Sequence, residues 1–92
     1  MYKKNICVIG GGYWGKNHIR TLYGLGFLGG IVESNQELLN RYGEQYPEIK
    51  RFLFLDEALQ DKSFLGFTIA TPAETHYPLA KQIMEAGKHV LV

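Results

Sequence analysis

Apolar residues along this chain gather in two alternating patterns. The first is short and dense: Asn-Ile-Cys-Val-Ile at 5–9, Phe-Leu-Gly-Gly-Ile-Val-Glu at 27–33, Arg-Phe-Leu-Phe at 51–54, Gly-Phe-Thr-Ile-Ala at 66–70 and His-Val-Leu-Val at 89–92. Such β-rich runs between helix or turn signals predict buried strands. The second pattern is spaced. Gly15, Ile19, Leu22 and Gly26 recur every three or four positions, which puts them on one face of a helix closed by Gly26. Leu39, Tyr42 and Tyr46 mark one side of a second helix over 35–47, stopped by Pro47. Asp-Glu-Ala-Leu-Gln at 56–60 predicts one or two helical turns.

The last helix needs a boundary argument. Thr71-Pro72-Ala73-Glu74 has the form of a capping box, but a helix beginning at Pro72 would place Pro78 in its interior. Proline there costs about 3 kcal/mol or more. A start near Thr75 puts Pro78 in the first turn, so 71–74 reads as an ordered loop and Thr75 as the cap. Leu79 and Ile83 then face inward, and the helix runs to Ala86 with Gly87 at its end.

Strands that alternate with helices throughout predict a parallel sheet with right-handed crossovers and helices on both faces. The fold class is α/β, a Rossmann-type doubly wound sheet of five strands. No repeat, linker or low-complexity segment interrupts it, so 1–92 reads as one incomplete domain, half or a little more of a doubly wound fold. Composition agrees: 46% of the residues are hydrophobic and 21% charged, as in globular proteins. A net charge of +1 offers no footprint for nucleic acid or an anionic membrane. No apolar run approaches the roughly 20 residues of a membrane span, and the N-terminus lacks the form of a signal peptide. The lone cysteine, Cys7, reads as a small buried hydrophobe, which accords with a reducing cytoplasm. No metal site is expected.

Candidate chemistry lies at Gly10-Gly11-Gly12-Tyr13-Trp14-Gly15. This G-x-G-x-x-G follows a predicted strand and opens a predicted helix, the context that gives the pattern meaning. Gly10 allows the tight turn out of the strand, Gly12 lets a pyrophosphate reach the backbone, and Gly15 lets the helix pack closely. The N–H groups near Tyr13 and Trp14 are then free donors at a positive helix end. Their side chains read equally as ligand contacts and as cover for the sheet end. Glu33 ends the second strand at the offset expected of a ribose-binding acid. Its carboxylate favours NAD over NADP, because it would repel a 2′-phosphate and 34–37 carry no cation to receive one. An ordinary strand-end acid is the plainer reading of Glu33. Lys16 reads as a solvated helix position or a phosphate contact, and His18 and His89 as surface or structural residues.

The stretch Ala-Thr-Pro-Ala-Glu-Thr-His at 70–76, followed by Ala-Gly-Lys-His-Val at 86–90, adds a more specific signal. Together with the glycine segment it resembles the N-terminal domain of the glucose–fructose oxidoreductase and inositol dehydrogenase family, over the whole chain. The resemblance implies that Thr71 and Pro72 wall the nicotinamide side of the cofactor and that His76 supports their loop, more as a pinning hydrogen bond than as a chemical group. Ala73 departs from the family, which often has asparagine there. The resemblance also implies that the fifth strand leads into a Glu-Lys-Pro tripeptide with a catalytic lysine, and that a second domain carries the substrate site. Both lie beyond Val92, so no catalytic residue is expected within 1–92 and this stretch alone is expected to be inactive. Tyr13 to Asn17 are most similar to members that act on nucleotide-linked sugars.

The expected function is therefore the NAD-binding portion of an oxidoreductase acting on a sugar, polyol or nucleotide-sugar. The alternatives are a non-catalytic NAD-binding module and a methyltransferase, although Ile9 stands where methyltransferases usually place an acid before the glycines. Self-association or a homo-oligomer is expected because the outer strands, His-Val-Leu-Val above all, would leave open edges.

Overall fold

The computed structural model describes residues 4–91. Its elements are β1 (Ile6–Ile9), α1 (Tyr13–Leu25), β2 (Leu28–Val32), α2 (Gln36–Gln45), β3 (Lys50–Phe52), α3 (Leu55–Leu59), β4 (Gly66–Ile69), a 3₁₀ turn (Ala73–Thr75), α4 (His76–Glu85) and β5 (His89–Leu91). All four strand pairings are parallel, and the strands lie in the order β3-β2-β1-β4-β5. The chain thus builds outward from β1 in one direction, then returns to start the other half at β4. No helix among the described residues is long and apolar enough to cross a membrane.

The alternation of side chains along a strand sorts the core into two layers. Val8, Leu28 and Ile31 pack with Ile19 of α1, Leu39 and Tyr42 of α2, and Tyr46 at the end of α2. Cys7, Ile9, Val32, Phe67 and Ile69 pack on the opposite face with Ala58 of α3 and Ile83 of α4. Burial also pushes the Cys7 thiol pKa upward, with Asp61 adding to the effect, so it stays a neutral core group.

Several boundaries differ from the sequence expectation. The third strand is Lys50–Phe52, not 51–54, because it pairs only with β2, whose ladder ends at Val32 opposite Phe52. Leu53 leaves the sheet, and Phe54 is the residue before α3, which begins at Leu55. Thr75 does not cap α4 through its side chain. It has helical backbone angles, and its hydroxyl donates back to the Pro72 carbonyl oxygen at 2.6 Å. The loop expected at 71–74 accordingly tightens into a 3₁₀ turn that feeds α4, with Pro78 in the first turn of that helix. Gly26 closes α1 in the left-handed region at φ 83°. The fifth strand was expected over 89–92, and Val92 lies outside the described residues.

Candidate functional site

The site is built where β1 and β4 end side by side. Gly10 leaves β1 with φ +95°, its N–H bonded to the Val32 carbonyl oxygen at 2.8 Å. A side chain there would be strained and would also lie 2.8 Å from Thr71 Cγ2. Gly15 sits beneath the turn, where an added Cβ would run into the carbonyl oxygen of Gly10. Gly12 is the residue before α1, and its carbonyl accepts the Lys16 N–H at 2.8 Å. It brings no capping side chain, and a Cβ on it would meet nothing within 4 Å. The first-turn N–H groups of α1 are therefore available to an anion, at the positive end of a 13-residue helix.

Glu33 lies just past β2, half-buried, with both carboxylate oxygens engaged. Oε1 accepts the Gly11 N–H at 2.7 Å, and Oε2 accepts the Asn35 N–H at 2.8 Å. A carboxylate has about four lone-pair sites, so each oxygen retains capacity for a hydroxyl donor. Gly11, to which the sequence reading assigned no role, is held from its other side as well. The Tyr42 hydroxyl donates to its carbonyl oxygen at 2.6 Å.

Across the cleft, the loop after β4 is bound into one unit. His76 Nε2 donates to the Thr71 carbonyl oxygen at 2.8 Å. The Thr75 hydroxyl is committed to Pro72, so Thr71 Oγ1 donates to it at 2.5 Å.

These segments enclose a cleft of about 650 Å³ lined by Gly10, Gly12, Tyr13, Trp14, Glu33, Ser34, Ala70, Thr71, Pro72, Ala73 and His76. Of the residues that the sequence assigned to the cofactor, Gly15 is off this surface, buried below it. The cleft shares Gly10, Glu33, Ser34 and Thr71 with a smaller hollow of about 260 Å³ that continues to Leu53 and Phe54. Neither of those two was anticipated, because the sequence pattern assigned them to a strand. Tyr13, Trp14 and Phe54 stand 78%, 66% and 66% exposed around the two hollows. The rings of Tyr13 and Trp14 meet edge to face at 5.2 Å. Lys16 lines a separate groove between α1 and α2 with Arg20 and Tyr42, and His18 and His89 are exposed. A further groove of about 570 Å³ along β3 contains none of the glycine-turn residues. No cluster of metal-ligating side chains occurs among the described residues.

A parallel sheet whose order reverses between β1 and β4, with a glycine turn and a cleft at that point, defines a dinucleotide-binding Rossmann domain. The model of the GFO/IDH/MocA oxidoreductase family, NAD-binding Rossmann fold, matches residues 4–92, and the chain belongs to that family. Among solved structures it is similar to GenD2 from gentamicin A biosynthesis in complex with NAD, at 29% identity and a TM-score of 0.87 over 98% of this chain. It is also similar to the WlbA dehydrogenase from Bordetella pertussis in complex with NADH and UDP-GlcNAcA, at 27% identity and a TM-score of 0.85 over 96% of the chain. The chain spans 26% and 27% of those two proteins. An uncharacterised oxidoreductase of Schizosaccharomyces pombe is 39% identical over 46 residues, covering 50% of this chain and 12% of that protein.

Proposed function

We propose that this domain holds NAD for a dehydrogenase that moves hydride at a carbon of a sugar, polyol or nucleotide-linked sugar. The observation that carries the reading is the meeting of the glycine turn, Glu33 and the Thr71–Pro72 loop around one cleft. In this reading Gly10 and Gly15 shape the turn, and Gly12 with the N–H groups of Tyr13 and Trp14 receives the pyrophosphate. Glu33 accepts the hydroxyls of the adenosine ribose, while Thr71, Pro72 and the His76 that pins them border the nicotinamide. When bound, the nicotinamide supplies the hydride chemistry; the chain binds and orients it. The family resemblance implies a catalytic lysine just after the fifth strand, and a second domain that carries the substrate site.

NAD is favoured over NADP because the Glu33 carboxylate would oppose a 2′-phosphate and Ser34-Asn35-Gln36-Glu37 offers no cation. Support for the substrate class comes from the WlbA complex, which holds a nucleotide-linked sugar. The family match favours this reading over a methyltransferase.

Trp14, the chain's single tryptophan, is at the cleft and reports its occupancy. NADH is expected to quench its emission saturably, and NADPH to bind on the order of tenfold more weakly, the scale of one charge-assisted hydrogen bond. Glu33→Ala should weaken NADH and narrow the difference between the two. A folded chain with no saturable response to either nucleotide would overturn the reading.

A further inference from the structure

The three consecutive glycines leave one residue, Gly11, outside the usual allocation of turn, phosphate approach and helix packing. In this chain Gly11 is the most constrained of the three by side chains. Glu33 Oε1 accepts its N–H at 2.7 Å, and the buried Tyr42 hydroxyl, arriving from α2, donates to its carbonyl oxygen at 2.6 Å. The tyrosine ring also fills the space where a side chain would go: a Cβ on Gly11 would lie 2.5 Å from Tyr42 Cε2. Tyr42 is itself held in place, stacked on Tyr46 at 6.4 Å with an interplanar angle of 15°, and Tyr46 packs in turn on Tyr23 at 4.6 Å.

The consequence follows from peptide geometry. The unit joining Gly11 to Gly12 is planar and trans, so the Gly11 C=O and the Gly12 N–H point in opposite directions. Glycine on both sides leaves that plane free to rotate unless something holds it. Tyr42 holds it by the carbonyl, which turns the Gly12 N–H away from α2. Gly12 lines the cleft and Tyr42 does not.

We infer that Tyr42 is a positioning residue for cofactor binding, setting the direction of the Gly12 N–H so that it can donate to a dinucleotide phosphate without touching the nucleotide itself. The inference rests on the cofactor reading of the cleft. Burial raises the phenol pKa, helped by Tyr46 and Glu33, so the hydroxyl keeps the proton it donates throughout the neutral range.

The test is Tyr42→Phe, which keeps the ring and removes the donor, titrated with NADH, ADP and adenosine. The expected result is a rise in Kd of roughly three- to tenfold for NADH and ADP, the scale of one hydrogen bond, with adenosine affinity unchanged because it carries no phosphate. In the wild-type chain, the Tyr42 hydroxyl proton should exchange slowly and show a nuclear Overhauser contact to the glycine turn, a measurement that needs no variant to fold. Equal NADH affinity in the two chains, an equal loss for adenosine, or a rapidly exchanging hydroxyl proton would each overturn the positioning role while leaving the cofactor reading intact. Failure of the wild-type chain to bind NADH would overturn the cofactor reading and this inference with it.

Discussion

A methyl group at Gly12 meets no atom within 4 Å, whereas one at Gly15 runs into the carbonyl oxygen of Gly10. The two positions therefore separate binding from folding. Gly12→Ala is expected to cost about 0.5–1 kcal/mol, because alanine caps a helix less well than glycine, with no steric clash to add to it. The same change should weaken NADH binding by about tenfold or more, because the methyl occupies the space kept for phosphate. Gly15→Ala should cost about 1–3 kcal/mol or more through overpacking, outweighing the roughly 1 kcal/mol that alanine gains in a helix. Chemical denaturation of both variants beside an NADH titration checks the pair, and equal stability losses would contradict it. At this scale the turn at Gly10 and the close packing at Gly15 were legible because they depend on local backbone and a fixed spacing. Gly11 was not, because its partners are 22 and 31 residues away.

At the scale of elements, the edge strand β3 is tied to the loop before β4 by an ion pair. Lys50 Nζ donates to Asp61 Oδ2 at 2.7 Å, and the other carboxylate oxygen accepts from the Ser63 N–H and hydroxyl. These bonds, Lys50 first and then Ser63, hold the Asp61 pKa at about 2, below its ordinary 3.8. A carboxylate with a depressed folded pKa contributes stability above its unfolded pKa and loses it as pH falls through the folded one. Asp61 should therefore contribute a stability loss between about pH 4 and pH 2 that Asp61→Asn removes. Lys50 is 54% exposed, so solvent screening limits the effect to about 1 kcal/mol or less. Acid unfolding curves of the two chains test this. The apolar pattern located β3 but extended it to Phe54, because hydrophobicity alone cannot show where the partner strand's ladder stops. The same limit concealed the second hollow, whose wall is the Leu53–Phe54 segment that leaves the sheet. Likewise, Thr75 had the residue type and place of a cap, but the carbonyl that its hydroxyl reaches belongs to the 3₁₀ turn before it.

At the scale of the molecule, β3 and β5 each pair with one neighbour among the described residues. β5 is the more exposed to association, since Leu91 is 53% accessible beside an open row of backbone donors and acceptors. We expect the 92-residue chain to self-associate, with a weight-average mass that rises with concentration in sedimentation, and Leu91→Lys to reduce the effect. A constant monomer mass over a wide concentration range would refute it. The alternation of elements, the glycine turn, the acid after the second strand and hence the Rossmann class are legible along the chain, because each is written in spacing over a few turns. What spacing could not show is that Glu33 and Tyr42 hold the N–H and the C=O of one residue, Gly11, and that Leu53 and Phe54 line a hollow continuing from the cleft. Those contacts exist because strand order and helix packing bring together residues whose separation along the chain carries no trace of the meeting.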